Sequence, residues 1–242
     1  MSGHSHFSTI KHKKAATDAK RSKIFSKVSR LISMAVKEKG PSVETNSKLK
    51  LAIEQAKKAN MPSDNIERAV KKGSGDTEGE ILEEVVFEAY GPGGIAIIIE
   101  GITDNKNRTL GDIKQILAKN NGKLVAEGAI KWMFERKGIL EIDSSALSEE
   151  KEEIEMKTIE AGAEDVFWKE DLLEINTKPE NLEEVKNNLE KENLPISSAF
   201  LGWIAKEEIS TGEKEEESNQ KLFEELDEND SVQEIYSNIK LL

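Results

Sequence analysis

Between Lys20 and Val36 the apolar residues Ile24, Val28, Leu31 and Ala35 recur at helical spacing, with Phe25, Ile32 and Val36 widening the stripe. Gly40-Pro41 stops that helix. A second helix is predicted from about Asn46 to Asn60, with Leu49, Ala52, Ile53, Ala56 and Ala59 inward. Pro62-Ser63-Asp64 opens a third, carrying Ile66, Ala69 and Val70, and Gly73 closes it behind Lys71-Lys72. Three short helices of this kind make a small bundle. The polar, glycine-rich stretch 73–79 reads as a hinge.

The period then changes. Residues 85–90 and 95–99 are strand-like and joined by Gly91-Pro92-Gly93-Gly94, which lacks the phosphate-loop pattern and reads as a hairpin turn. A helix is predicted over 107–119, with Leu110, Ile113, Ile116 and Leu117 inward, and a strand over 129–135. Residues 138–206 then run strand, helix, strand, strand, helix, strand, the order of a ferredoxin-like plait. An acidic connector over 206–218, a helix over 219–227 and a strand over 232–239 finish the chain. A lone helix and strand make no stable domain, so they are expected to complete the 80–136 sheet. The fold class is therefore α+β multidomain. A basic helical domain spans 1–78, a central α+β domain 79–136 and 207–242, and an inserted ferredoxin-like α+β domain 137–206.

Charge changes the picture. The 242 residues carry 35 Lys+Arg against 47 Asp+Glu, a net of −12, which argues against a simple polyanion binder. The imbalance is not evenly spread. Residues 1–75 hold 17 basic and 6 acidic side chains, and the remainder holds 18 and 41, so the two parts carry +11 and −23. That is the pattern of a basic binding module on an acidic body. The competing reading is a solvated lysine-rich surface, with the two parts attracting each other.

The basic signal is densest in Lys11, Lys13, Lys14, Lys20, Arg21, Lys23, Lys27 and Arg30, opposed within residues 1–30 only by Asp18. On a helix, Lys20, Lys23, Lys27 and Arg30 fall within an arc of roughly 80° beside the apolar stripe. Such a helix buries one side and aims four cations at a phosphate backbone, with salt-sensitive binding. Lys57, Lys58, Arg68, Lys71, Lys72 and Arg108 are further candidate contacts. So are His4, His6 and His12, which donate to phosphate or cap the first helix; a metal role finds no supporting carboxylate cluster. The pattern does not choose DNA over RNA.

Several chemistries lack material. The chain has no cysteine, and no histidine follows position 12, so thiol chemistry is excluded and Ser-His and Cys-His catalysis have almost no material. Catalytic residues, metal and cofactor are all expected to be none. A carboxylate enzyme working in an interdomain cleft is the outlying alternative. The longest apolar run, residues 95–99, is too short to cross a bilayer, and the first residues lack an apolar signal core. Residues 8–37 share the basic, acid-poor composition of a transit peptide, but they also carry the helical stripe described above. Trp132, Trp168 and Trp203 each fall in an apolar strand context, which predicts core packing.

The opening Gly3-His4-Ser5-His6-Phe7-Ser8-Thr9-Ile10-Lys11-His12-Lys13-Lys14-Ala15-Ala16 resembles the N-terminal signature of the YebC/PmpR family. So do residues 60–69 (NMPSDNIERA), 90–94 (YGPGG), 103–109 (TDNKNRT), 133–138 (MFERKG) and 232–238 (VQEIYSN). The resemblance runs nearly the whole length. It implies a helical N-terminal domain and two α+β domains, the last inserted in the middle one. It also implies a non-enzymatic cytoplasmic regulator of gene expression. Bacterial members are described as transcriptional regulators binding promoter DNA. Mitochondrial relatives are translational activators, and the family is linked to ribosomes and relief of stalled translation. The expected partners are thus DNA or structured RNA such as ribosomal RNA, with ribosomal or other proteins on the acidic domains. This chain departs from the usual Gly-His-Ser-Lys-Trp opening by placing His6 and Phe7 at the Lys and Trp positions.

Overall fold

A computed structural model describes residues 5–6, 18–75, 81–169 and 172–240. Helices α1 (Asp18–Lys39), α2 (Ser47–Lys58) and α3 (Ser63–Gly73) enclose a core of Val28, Ile32, Ala35, Leu49, Ala52, Ala56, Met61 and Ala69. The α1–α2 turn rests on two residues. Gly40 adopts φ +84 and its N–H returns to the Val36 carbonyl at 2.7 Å, a conformation that stops the helix at little steric cost. Buried Asn46 caps α2 by accepting from the Leu49 N–H, and its amide donates to the Ala35 and Gly40 carbonyls.

Helices α1 and α3 cross without room for a side chain. A Cβ built on Gly73 would lie 2.5 Å from the Ser33 carbonyl oxygen and 2.7 Å from Val36 Cβ. Ser33 Oγ donates to the Ala69 carbonyl at 2.8 Å along the same seam. Gly73→Val must spread the helices, and overpacking of this kind costs about 1–3 kcal/mol. Urea unfolding of the variant is expected to show that loss, and an unchanged midpoint would disprove the close approach.

The first sheet has the order β1-β9-β3-β2-β4, all antiparallel, from β1 (Ser5–His6), β2 (Glu83–Tyr90), β3 (Ala96–Thr103), β4 (Lys123–Val125) and β9 (Val232–Ser237). Helices α4 (Lys106–Lys119) and α7 (Glu213–Asp227) cover one face, burying Ile97, Ile99, Ile113, Leu117, Leu222, Phe223 and Leu226. Residues 91–95 form the expected hairpin connection, with Gly93 and Gly94 both at positive φ. The sequence pattern places the N-terminal residues with the basic helical domain, 1–78. Instead Ser5 and His6 pair with Ser237 and Tyr236 as an edge strand.

The second sheet has the order β6-β7-β5-β8, again antiparallel, from β5 (Phe134–Asp143), β6 (Asp165–Trp168), β7 (Leu172–Thr177) and β8 (Ile196–Ala205). With α5 (Lys151–Glu160) and α6 (Leu182–Lys191) crossing over, this is the ferredoxin-like plait the strand–helix order predicts. Its core is Leu140, Ile142, Ile154, Leu173, Ile175, Val185 and Leu189.

Two boundaries depart furthest from the sequence pattern. The strand expected over 129–135 begins only at Phe134, after a 3-10 turn over Lys131–Met133, and then runs unbroken to Asp143. Helix α7 starts at Glu213 instead of 219, because Glu213, Glu215 and Glu216 in its first turn suit the positive end of the helix dipole.

Contacts fasten the three units. Met34 packs with Leu82 and Ile102 against the first sheet, and Ala96, Ile98, Phe134, Ala205 and Tyr236 join the two sheets. Buried Lys186 of α6 meets Glu54 of α2 at 2.8 Å. Isolated, that lysine would carry a severe desolvation penalty, so its partner is part of how α2 is held.

Candidate nucleic-acid interface

Three of the four α1 cations in the expected row, Lys23, Lys27 and Arg30, meet one acidic segment of the chain. Lys23 pairs with Glu228, Lys27 with Asp227 at 2.8 Å, and the Arg30 guanidinium donates to the Asp230 carbonyl. The Lys27 side chain is only 13 % exposed. These acceptors sit at the corner that leaves α7, about 200 positions away in sequence. This cationic face is thus clasped, one helical turn after another, by two carboxylates and a backbone carbonyl of the same chain.

A second arrangement lies on the other side of Arg30. Ser29, Arg30 and Ser33 of α1 face Asn65, Arg68, Ala69 and Lys72 of α3 across an open cavity of about 320 Å³ floored by Leu82. Arg68 is exposed, and it is steadied by its own helix through the Asp64 carbonyl and the Asn65 side chain. Arg30, Arg68 and Lys72 therefore bring three cations to one groove. Asp104, at the start of α4, lies within the field of Arg30 and pairs with Arg108. Partial burial works to raise its carboxyl pKa, but the backbone hydrogen bond and the Arg108 and Arg30 charges outweigh this and hold it below the usual range.

The remaining predicted residues are scattered. Arg21 is exposed on α1. Lys71 is exposed in the last turn of α3. Lys57 and Lys58 end α2; burial lowers the Lys58 amine, whose charged neighbours are Glu54, Lys186 and Glu141, so it faces the plait and not the groove. Lys20 lies in α1, and His6 in β1. Lys11, Lys13, Lys14, His4 and His12 lie outside the described residues, as do the side chains of Lys20 and His6. Among the described residues no cluster of His, Asp and Glu is placed to hold a metal, and no helix is long and apolar enough to cross a membrane.

The tryptophans divide. Trp203 is half-buried, with Arg136 and Lys131 over its ring and its N–H donated to Glu100. Trp168 is half-buried and donates to Glu155. Trp132, expected in the core, is 67 % exposed. The physical reason is the 3-10 turn that replaces the expected strand: it carries Trp132 outward and ties its indole N–H to the Ala129 carbonyl at 2.9 Å.

Comparison with known proteins decides the lineage. The TACO1/YebC N-terminal domain matches residues 5–76, and the TACO1/YebC second and third domains match residues 82–239. The chain belongs to the TACO1/YebC family. A probable transcriptional regulatory protein of Aquifex aeolicus is 48% identical over 245 residues, covering 100% of this chain and 96% of that protein. Another, from Caldanaerobacter subterraneus, is 46% identical over 241 residues, covering 100% and 99%. The crystal structure of a conserved hypothetical protein from Aquifex aeolicus superposes with a TM-score of 0.90 at 46% identity, covering 96% of each chain. Within the TACO1/YebC fold, the acidic corner at Asp227, Glu228 and Asp230 is the feature that residue patterns missed. Its signal was available as the dense run Asp227-Glu228-Asn229-Asp230, but not its destination on α1.

Proposed function

We propose that this TACO1/YebC chain is a non-enzymatic, nucleic-acid-binding regulator of gene expression that works in the cytoplasm. The leading form is a DNA-binding transcriptional regulator, in keeping with the names of its relatives. The observation that carries the reading is the convergence of Arg30, Arg68 and Lys72 on one open groove between α1 and α3. Three cations and the Ser29 and Asn65 side chains line the groove with groups that can donate to phosphate oxygens, and each phosphate neutralised releases condensed counterions. The cations of residues 11–14, with Lys20 and Arg21, extend the surface toward the N-terminus.

Arg68→Ala tests the groove. The side chain is exposed, so the fold should tolerate the change. In a salt-titrated mobility-shift assay the slope of log affinity against log salt should fall by about one, with roughly tenfold weaker binding at low salt. An unchanged slope would remove the groove from the interface.

One observation favours a second reading, a ribosome-associated translation factor on ribosomal RNA. With Lys23, Lys27 and Arg30 clasped by the 227–230 corner, α1 is not presented as a lone helix for insertion into a DNA major groove. A groove that reads backbone and shape suits folded RNA. Cosedimentation with ribosomes at low salt, lost in Arg68→Ala, supports that form, and its absence at low salt rejects it.

A further inference from the structure

The face of the first sheet away from α4 and α7 is closed along β3 and β9 by the junction with the second sheet, and its β2–β4 margin carries a second constellation. Along β2, Val85, Phe87 and Ala89 enter the core under those helices, so Val86, Glu88 and Tyr90 point the other way. Glu88 is 3% exposed yet bears a carboxylate. Its oxygens accept from the backbone N–H groups of Gly128 at 2.6 Å, Ile130 at 2.8 Å and Lys131 at 3.0 Å. A buried acid therefore holds the turn that carries Trp132.

What that turn displays is aromatic. Seven large hydrophobic side chains are exposed among the described residues, and three of them are Val86 and Tyr90, which flank Glu88 on its own face of β2, and Trp132, which follows the backbone that Glu88 holds. The indole N–H of Trp132 is already spent on Ala129, which fixes the ring and leaves its faces as its binding surface. Tyr90 lies directly opposite Lys123 of β4 in the strand register, so Lys123 borders the same face, and Lys131 precedes Trp132. The acids on this face are committed elsewhere. Glu88 serves three N–H groups, and Glu100 takes Arg136 and the Trp203 N–H. Exposed Glu84 shares this face at the far end of β2, 3.8 Å from Lys48, and exposed Glu127 remains in the turn beside the two lysines.

We propose that this face is a second nucleic-acid site, which takes unpaired bases of single-stranded RNA or DNA by stacking them on Trp132 and Tyr90. Lys123 and Lys131 supply the charge complementary to the adjoining phosphates. A fixed ring with no free donor recognises π-faces and not base edges, so the site is tolerant of sequence. It is separate from the α1–α3 groove, and either can fail while the other stands.

The probe is a fluorescein-labelled dodecauridylate bound to the full chain and followed by anisotropy. Trp132→Ala should weaken binding by roughly tenfold, the size of one lost base–aromatic stack, and Trp132→Phe should restore most of it. The loss should be the same at low and high salt, because stacking releases no counterions, whereas the Arg68→Ala effect shrinks as salt rises. If Trp132→Ala does not fold, Tyr90→Ala carries the same test. Affinity unchanged in both variants overturns the site. So does Trp132-dependent binding of an oligoproline peptide with no binding of the oligouridylate, which would make the face a peptide-docking surface instead.

Discussion

Glu88→Ala is expected to lower the free energy of unfolding by about 3–4 kcal/mol, because three backbone N–H groups lose a charged acceptor at once. The carboxylate is sealed beneath residues 128–131 and has no surface function to trade against. Ile130 is fully buried, so its N–H in particular cannot turn to water without drawing the turn open. Glu88→Gln keeps an acceptor but introduces a donor facing donors, and its cost should be intermediate, about 1–2 kcal/mol. Denaturant unfolding measures both. In a variant whose sole tryptophan is Trp132, its emission should report a loosened turn before global unfolding. A loss below about 1 kcal/mol for Glu88→Ala would mean that the turn holds itself, through residues such as Ala129, whose N–H reaches Ala126, and Met133, whose N–H reaches Ile130.

The Glu88 turn also marks where residue patterns stop being informative. Local periodicity located α1 to α3 well, since the signals are local: the stripe of Ile24, Val28, Leu31 and Ala35, the stop at Gly40, the restart near Asn46. The plait was legible for the same reason, as its strands and helices alternate at short range. Trp132 was misread because its neighbours Ile130, Met133 and Phe134 are apolar enough for a strand. What prevents one is the carboxylate at position 88, some 40 residues earlier, which claims the backbone donors that a ladder would need. Nothing about a glutamate in a strand announces that use. The cationic row was legible as a row for the converse reason, because helical spacing alone aligns Lys23, Lys27 and Arg30. That an acidic corner would cover it depends on tertiary packing of α7 against the helical unit, which no spacing rule contains.

That corner leads to the second large effect. On the proposed function, Asp227→Asn combined with Glu228→Gln is expected to strengthen nucleic-acid binding, on the order of a hundredfold at low salt, by releasing Lys23 and Lys27 to two further phosphates. The slope of log affinity against log salt should steepen by about two. The physics is a competition for the same cations. In the wild-type chain a phosphate must displace a carboxylate already placed 2.8 Å from Lys27, so only the difference between the two anions contributes to binding. Removing the carboxylates has its own cost. Lys27 is largely covered, and losing its partner should destabilise the helical unit by about 1–2 kcal/mol. The exposed Lys23–Glu228 pair should contribute much less. The two readouts therefore separate the alternatives. Tighter, more salt-sensitive binding with a small loss of thermal stability means that the acidic corner guards the basic face. The same loss of stability with unchanged affinity and slope means that Lys23, Lys27 and Arg30 serve to orient α1 on the acidic body, and that the phosphate contacts belong to Arg68, Lys72 and the N-terminal lysines alone.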